Sequence, residues 1–254
     1  MLHDRDSLLT LVNDKLNVRN YVKAKVGDGC LVPLLWLGED AESIPFARLP
    51  SKFVIKATHG GGYNVFVKDK KELDQRELVL RVKRFLKKNY CLDRGIGIEW
   101  GYKNINPRII VEPFIEEKGN YPVDYKFYCF SGQVEFVVIH FDRFTGHKTK
   151  TFDRDFKPHE FRYQHPIWQG KFQRPRNFEA MVSLAESLAK SLNFIRVDLY
   201  SVGGKIYFSE LTPYPGGTTT KFLPERQDII LGRRWGNKVF PIQQSLSGMP
   251  NGKH

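Results

Sequence analysis

The sequence predicts an α+β fold in which two lobes of unequal size face one another, preceded by a short helical segment. Three observations predict it. A strand-like run, three glycines and a second strand-like run occupy Phe53 to Lys68, followed by an amphipathic helix and a further apolar strand. Five more strand-like runs with one helix between them fill the C-terminal half. The last two of those runs read as a β-hairpin closed by Val202-Gly203-Gly204.

Residues 1–50 form the short N-terminal segment. Leu2 to about Val26 reads as helical, with Asn13 or Asp14 able to cap, and Gly27-Asp28-Gly29 stops it. Leu31 to Trp36 follows as an extended stretch, and Pro45 to Pro50 as a connection. Residues 51–117 make the smaller lobe. Between Glu72 and Tyr90, Leu78, Val82, Phe85 and Leu86 fall at helical spacing while Arg76, Lys83, Arg84, Lys87 and Lys88 lie elsewhere, so one helix face is apolar. Ile109 to Glu116 then reads as a strand ending in a hinge. Residues 118–254 make the larger lobe, with strands near Val123–Phe130, Val134–Phe141, Lys148–Phe152, Ile195–Tyr200 and Ile206–Leu211. Phe178, Met181, Val182, Ala185, Leu188, Ala189 and Leu192 recur at helical spacing and predict a helix over Phe178–Leu192. Ser245 to His254 is polar and reads as a loose tail.

Two places carry chemistry. In the C-terminal hairpin, Asp198 and Glu210 fall side by side on paired strands, and Arg196 shares the face of Asp198. A Mg²⁺ ion that keeps its waters and shares substrate phosphates needs only one or two carboxylates. The alternative is a salt bridge between Arg196 and Asp198, with Glu210 a solvated edge residue. Upstream, Lys56 ends a strand that runs into Ala57-Thr58-His59-Gly60-Gly61-Gly62. Consecutive glycines bring backbone N–H groups close to an anion, and the lysine adds a point charge. No Gly-Lys-Ser/Thr follows and no helix begins there, which excludes a Walker A loop and a Rossmann turn. A plain flexible turn is the competing reading.

The order of these pieces resembles the ATP-grasp superfamily and, more narrowly, its TupA-like family. The resemblance rests on Leu2-His3-Asp4-Arg5-Asp6, Asp14-Lys15, Val18-Arg19, Lys56 with His59-Gly60, Pro107-Arg108-Ile109-Ile110, Asp124-Tyr125-Lys126-Phe127, Asp142-Arg143-Phe144, Arg196-Val197-Asp198 and Glu210-Leu211-Thr212. It implies an ATP-grasp fold with ATP between two α+β lobes. It further implies that Lys15 and Lys56 contact the phosphates, with His59, Gly60, Gly61 and Gly62 in the loop closing over them. Glu112 and the backbone near Phe114 would border adenine, and Asp124 or Glu116 would accept hydrogen bonds from the ribose. Asp198 and Glu210 would hold Mg²⁺, with Thr212 where many relatives carry asparagine as a further ligand. Arg196 would stabilise the transferring phosphoryl group, with Lys126 near the nucleotide.

The resemblance implies an ATP-dependent carboxylate–amine ligase acting through an acyl phosphate, on a sugar acid or acidic glycan of a bacterial surface polysaccharide. A kinase that stops after phosphoryl transfer and a non-catalytic nucleotide- or glycan-binding protein are the rivals. Lys and Arg outnumber Asp and Glu by 40 to 28, a formal charge of +12, which suits an anionic carboxylate substrate. Arg143, His147 and the basic stretch Lys171 to Arg176 are the expected acceptor contacts. No zinc-finger, RNA-recognition or basic-zipper pattern supports nucleic acid as a partner. No run of about 18 apolar residues spans a membrane. The N-terminus lacks a signal-peptide core, and Cys30, Cys91 and Cys129 lack ligand spacing, so a reducing cytoplasm is the expected compartment.

Overall fold

The computed structural model describes residues 5–93, 99–163, 165–218 and 221–236. The polar tail expected at residues 245–254 and Leu2, His3 and Asp4 of the family pattern lie outside them. In chain order the elements are α1 (Ser7–Asn13), α2 (Val18–Val26), β1 (Trp36–Gly38), β2 (Phe53–Ala57), β3 (Asn64–Val67), α3 (Gln75–Leu86), α4 (Tyr90–Asp93), β4 (Ile109–Pro113), β5 (Asp124–Phe130), β6 (Gln133–Phe141) and β7 (Lys148–Asp153). Then come β8 (Pro158–His159), β9 (Arg162–Tyr163), α5 (Phe178–Ala189), β10 (Phe194–Val202), β11 (Lys205–Thr212), β12 (Phe222–Leu223) and α6 (Glu225–Gly236).

Two antiparallel sheets carry the fold. The smaller has strand order β1-β4-β2-β3 and the larger β11-β10-β5-β6-β7-β8, while β9 and β12 pair separately. Strand alternation divides each sheet into a core face and a site face. In the smaller sheet Phe53, Ile55, Val65, Val67, Ile109 and Val111 pack under α3 through Leu78 and Val82. That leaves Val54, Lys56, Asn64, Phe66, Ile110 and Glu112 on the other side.

In the larger sheet Phe127, Val137, Ile139, Ile195, Val197 and Leu199 are buried with Phe178, Met181, Val182, Ala185 and Leu188 of α5. Each such fully buried side chain contributes about 1.5–3 kcal/mol, so the helix anchors the sheet from behind. The opposite face carries Asp124, Lys126, Arg196 and Asp198 at one end. At the other, Tyr128, Phe136 and Val138 sit in an aromatic cluster with Phe161, Tyr163, Phe194 and Leu231.

The N-terminal fifty residues do not stand apart. Val12, Val18, Tyr21 and Val22 join the core of the larger sheet, and Tyr21 donates to the Leu188 carbonyl at 2.8 Å. Ala41, Ile44, Phe46 and Leu49 join the core of the smaller one, and β1 pairs with β4 along its edge. The stretch expected as one helix over Leu2–Val26 is two. Asp14, only 1 % exposed, accepts from the backbone N–H of Leu16 and Asn17 and from the Asn17 amide, and this local competition replaces helical hydrogen bonds with a turn.

Candidate active site

A cleft of about 480 Å³ opens between the site faces of the two sheets. From the smaller sheet come Lys56, Asn64, Phe66 and Glu112; from the larger, Asp124, Lys126, Arg196, Asp198 and Glu210. Lys15 and Arg19 reach it from the N-terminal turn and α2.

The glycine loop is built as a hairpin turn between β2 and β3. The Ala57 N–H donates to the Tyr63 carbonyl and the Asn64 N–H to Gly62, whose φ of +77° is a left-handed conformation suited to glycine. A Cβ on Gly61 would lie 2.8 Å from the Tyr90 hydroxyl, so the loop rests against an aromatic shelf. The Asp14 turn presents Lys15 to this loop, since the Lys15 N–H donates to Thr58 and its ammonium to the Gly60 carbonyl. Burial pushes the Lys15 ammonium down to about 8, against the favourable charge of Glu210. Arg108 braces the turn from β4's side, 3.3 Å from Asp14.

Glu112 is clamped by two cations, Lys56 at 2.6 Å and Arg19 at 3.2 Å. Both of its oxygens are thereby engaged, which makes it a positioning partner for Lys56 in this state. Facing it, Glu210, Asp198 and Lys126 are successive cross-strand partners on β11, β10 and β5. Arg196 grips Asp198 through Nε and Nη2 at 2.6 and 2.7 Å, and reaches Glu210 at 2.8 Å and the Thr212 hydroxyl at 2.9 Å. Burial opposes the guanidinium charge, but Asp198, Tyr128 and Glu210 more than offset it, holding Arg196 well above its ordinary pKa. Lys126 bonds to Asp198 and, at 2.9 Å, to Asp124.

The salt bridge weighed against a metal is therefore present, and it includes Glu210. The donor set still fits a hard cation: two carboxylates stand opposite each other beside a hydroxyl, and Glu210 is 43 % exposed toward the cleft. Asp124 also keeps Oδ1 buried without a partner, an acceptor left over at the cleft wall.

Thirteen of the sixteen expected site residues line this one cleft: Lys15, Lys56, Gly61, Gly62, Glu112, Phe114, Asp124, Lys126, Arg143, Arg196, Asp198, Glu210 and Thr212. His59, Gly60 and Glu116 do not line it. His59 is buried behind the loop, where Nε2 lies 3.1 Å from the carbonyls of Phe85 and Lys88 and fixes the end of α3. Glu116 turns outward to Lys52 at 2.7 Å. The basic stretch Lys171 to Arg176 is a further correction. Phe172 packs into the core behind the sheet and Arg174 pairs with Glu179 of α5, so alternation puts the stretch on the face opposite Asp198. His147 contacts two other histidines. Arg19, Asn64, Tyr90, Tyr102 and an aromatic group of Phe66, Tyr121 and Phe144 also line the cleft and were not assigned from sequence; Arg19 does lie in the family pattern quoted above.

The sequence matches the TupA-like ATP-grasp family over residues 1–235. The chain belongs to the TupA-like ATP-grasp family. Among solved structures, the fold of this family member resembles an ADP complex of N5-carboxyaminoimidazole ribonucleotide synthetase, at 14 % identity and a TM-score of 0.52 over 82 % of this chain and 46 % of that one. Similar in outline are the D-alanine–D-alanine ligase of Bacillus anthracis with ATP (15 %, TM-score 0.47, 82 % and 56 %) and the L-amino acid ligase of Bacillus licheniformis (16 %, TM-score 0.49, 81 % and 44 %). The TupA-like chain spans about half the length of these proteins. No curated protein matches the sequence. No helix among the described residues is long and apolar enough to cross a membrane.

Proposed function

We propose that the protein is an ATP- and Mg²⁺-dependent carboxylate–amine ligase working in the cytoplasm, on a sugar acid or acidic glycan of bacterial surface polysaccharide or capsule synthesis. One observation carries this reading. Lys15, Lys56 and the glycine loop on one wall of the cleft face Glu210, Asp198, Lys126 and Arg196 on the other. Phosphoryl transfer demands little covalent chemistry of a protein and much positioning and charge compensation, and these are the groups that supply them.

In the proposed reaction a substrate carboxylate oxygen attacks the γ-phosphorus, the bond to the β,γ-bridging oxygen breaks and ADP leaves. An amine nitrogen then attacks the acyl carbon, phosphate departs, and the nitrogen loses its proton to give the amide. Lys15 and Lys56 hold the phosphates, Arg196 and Lys126 turn from Asp198 toward the transferred group, and closure of the loop keeps water from the acyl phosphate. Asp198 and Glu210, with Thr212, would hold Mg²⁺, which supplies charge neutralisation to the phosphates. Phe114 and the aromatic side chains beside it border the base, and Asp124 accepts from the ribose.

The test is ADP formation measured with a panel of sugar acids and nucleotide-linked uronates, each with and without mixed amines, and products identified by mass. An amide that appears only with acid, amine and ATP together is the expected product. A stable phosphorylated product formed equally well without amine would make the protein a kinase, and no turnover with any acid would leave it a binding protein.

A further inference from the structure

The site face of the larger sheet continues one row beyond Lys126 and Asp198. Tyr200, Asp124, His140 and Thr149 are successive cross-strand partners on β10, β5, β6 and β7. Two connections bring further imidazoles to His140. The first is the turn from Asp142, whose carbonyl accepts from Thr145 and Gly146 at 3.0 Å and which ends at His147. The second holds His165, fixed to β7 because Thr149 donates to the Pro166 carbonyl at 2.9 Å and accepts from Trp168 at 2.8 Å. His140 Nδ1 lies 2.8 Å from His147 Nε2, and the His147 and His165 rings stack with centroids 3.6 Å apart. One nitrogen from each of the three falls within 4.8 Å of the others.

We propose that His140, His147 and His165 form a binding site for a divalent transition-metal ion of the zinc class, distinct from the carboxylate pair. Three imidazoles with an open fourth position suit such an ion, and imidazole nitrogen does not suit Mg²⁺. Ligand bonds of about 2.0–2.1 Å in a tetrahedron separate neighbouring nitrogens by roughly 3.3 Å. The His140–His147 separation of 2.8 Å is shorter than that and all three nitrogens lie within 4.8 Å, so an ion enters by rotation of rings. It replaces the proton that must otherwise lie between His140 and His147. Neutral imidazole is the ligating form, so metal binding here competes with protonation of the rings. The nearby cations Lys126 and Arg143 are both bonded to Asp124, which offsets part of their charge. His147 and His165 are only half-buried, so water has access to the fourth position.

An ion here would tie the Asp142 to His147 turn to the sheet. That turn carries Arg143 and Phe144 into the cleft, so the metal would set where Arg143 stands. The inference is independent of the ligase reading.

The test uses the full chain without a polyhistidine tag, stripped with chelator. Co²⁺ is added and read by the visible absorption of tetrahedral cobalt, and Zn²⁺ affinity is measured by competition. One equivalent with a tetrahedral spectrum is expected, weakened at least about a hundredfold by His147→Ala or His165→Ala, more than the usual cost of losing a mere outer partner. Loss of thermal stabilisation by Zn²⁺ in both variants is expected alongside, with the metal-free melting point little changed. Absence of stoichiometric binding, or binding unaltered in the two histidine variants, leaves the cluster a hydrogen-bonded stack and overturns the site. Binding lost instead in Glu210→Gln assigns the ion to the carboxylates and overturns it equally.

Discussion

Asp198 and Glu210 stand directly opposite each other in the β10–β11 register, yet they differ in burial: the Asp198 side chain is 1 % exposed and that of Glu210 43 %. This asymmetry separates metal binding from folding. Glu210→Gln removes a cleft charge whose bond to Arg196 is screened by solvent, so turnover should collapse while stability changes by less than about 1 kcal/mol. Asp198→Asn neutralises the shared partner of Arg196 and Lys126 and should cost about 3–5 kcal/mol as well as activity. ADP formation and thermal melting, measured together at ordinary Mg²⁺, check both. Full activity in Glu210→Gln would remove the carboxylate pair from the reaction.

Lys56 has a structural role besides its proposed phosphate contact, because it neutralises one side of Glu112 at 2.6 Å. Lys56→Ala should weaken binding of a non-hydrolysable ATP analogue by roughly ten- to a hundredfold, the value of a charge-assisted hydrogen bond at about 1.5–3 kcal/mol. The fold should survive, since Arg19 still holds Glu112 at 3.2 Å. Titration calorimetry decides; unchanged affinity would rule out this wall as the phosphate cradle.

Gly61 offers a steric test of the same wall. A Cβ there meets the Tyr90 hydroxyl at 2.8 Å, and a β-branched side chain worsens the conflict. Gly61→Val should lift the loop and lower nucleotide affinity about tenfold or more, and Tyr90→Phe in the same chain should restore part of it by removing the oxygen. Equal affinities in all three proteins would separate the loop from the nucleotide.

Lys15 predicts a pH dependence. Its pKa is lowered to about 8 by burial, so the free protein loses this charge as pH rises through that value. Bound triphosphate stabilises the ammonium and raises its pKa, so binding takes up a proton in the window above about 8 and affinity falls with rising pH there. Between about pH 7 and pH 9.5 the loss should be roughly tenfold, and Lys15→Met should flatten it while weakening binding at neutral pH. The stability effect has the opposite sign. The unfolded chain binds more protons than the folded one between about 8 and the ordinary value of 10.5, so unliganded stability rises with pH across that interval. A pH-independent affinity in the parent protein would exclude Lys15 from the phosphate site.

Much of this arrangement is written in local pattern. The hairpin at Asp198 and Glu210 is legible because alternation and the Gly203-Gly204 turn set both face and register, with Gly203 and Gly204 at φ +58° and +82°. The glycine loop is legible for a similar reason. The break at Asp14 is not, because an aspartate that caps a helix and one that makes a turn look alike until the second helix is seen to start at Val18. Nor is the clamp of Arg19, Lys56 and Glu112, whose members are up to 93 residues apart and meet only once β2 and β4 pair. His140 on β6 meets His147 and His165 through two separate connections, which no spacing rule encodes. Lys171 to Arg176 lies away from the cleft although it is basic, because charge alone does not report a face. Phe172 within that run decides it by packing into the core.

Arg143 lines the cleft and is the group we propose to meet an acid substrate. Its side chain is 40 % exposed in the cleft and bonds Asp124 at 2.8 Å, and Asp124, with burial opposing it, holds the guanidinium above its ordinary pKa. A planar fork that spends one arm on Asp124 keeps other donors for a carboxylate. Arg143→Ala should therefore raise the KM for the acid about tenfold, roughly 1.4 kcal/mol, with a much smaller change in the KM for ATP. Arg143→Lys should fall between the two, because it keeps the charge and loses the fork. Folding should be little affected, since Lys126 remains 2.9 Å from Asp124 and leaves no buried charge unpaired. Added salt should weaken acid binding in the parent protein more than in the alanine variant. Steady-state kinetics with each substrate varied in turn check these outcomes, and a neutral acceptor used as well as the acid, or acid kinetics indifferent to Arg143, would end the anionic-acceptor reading.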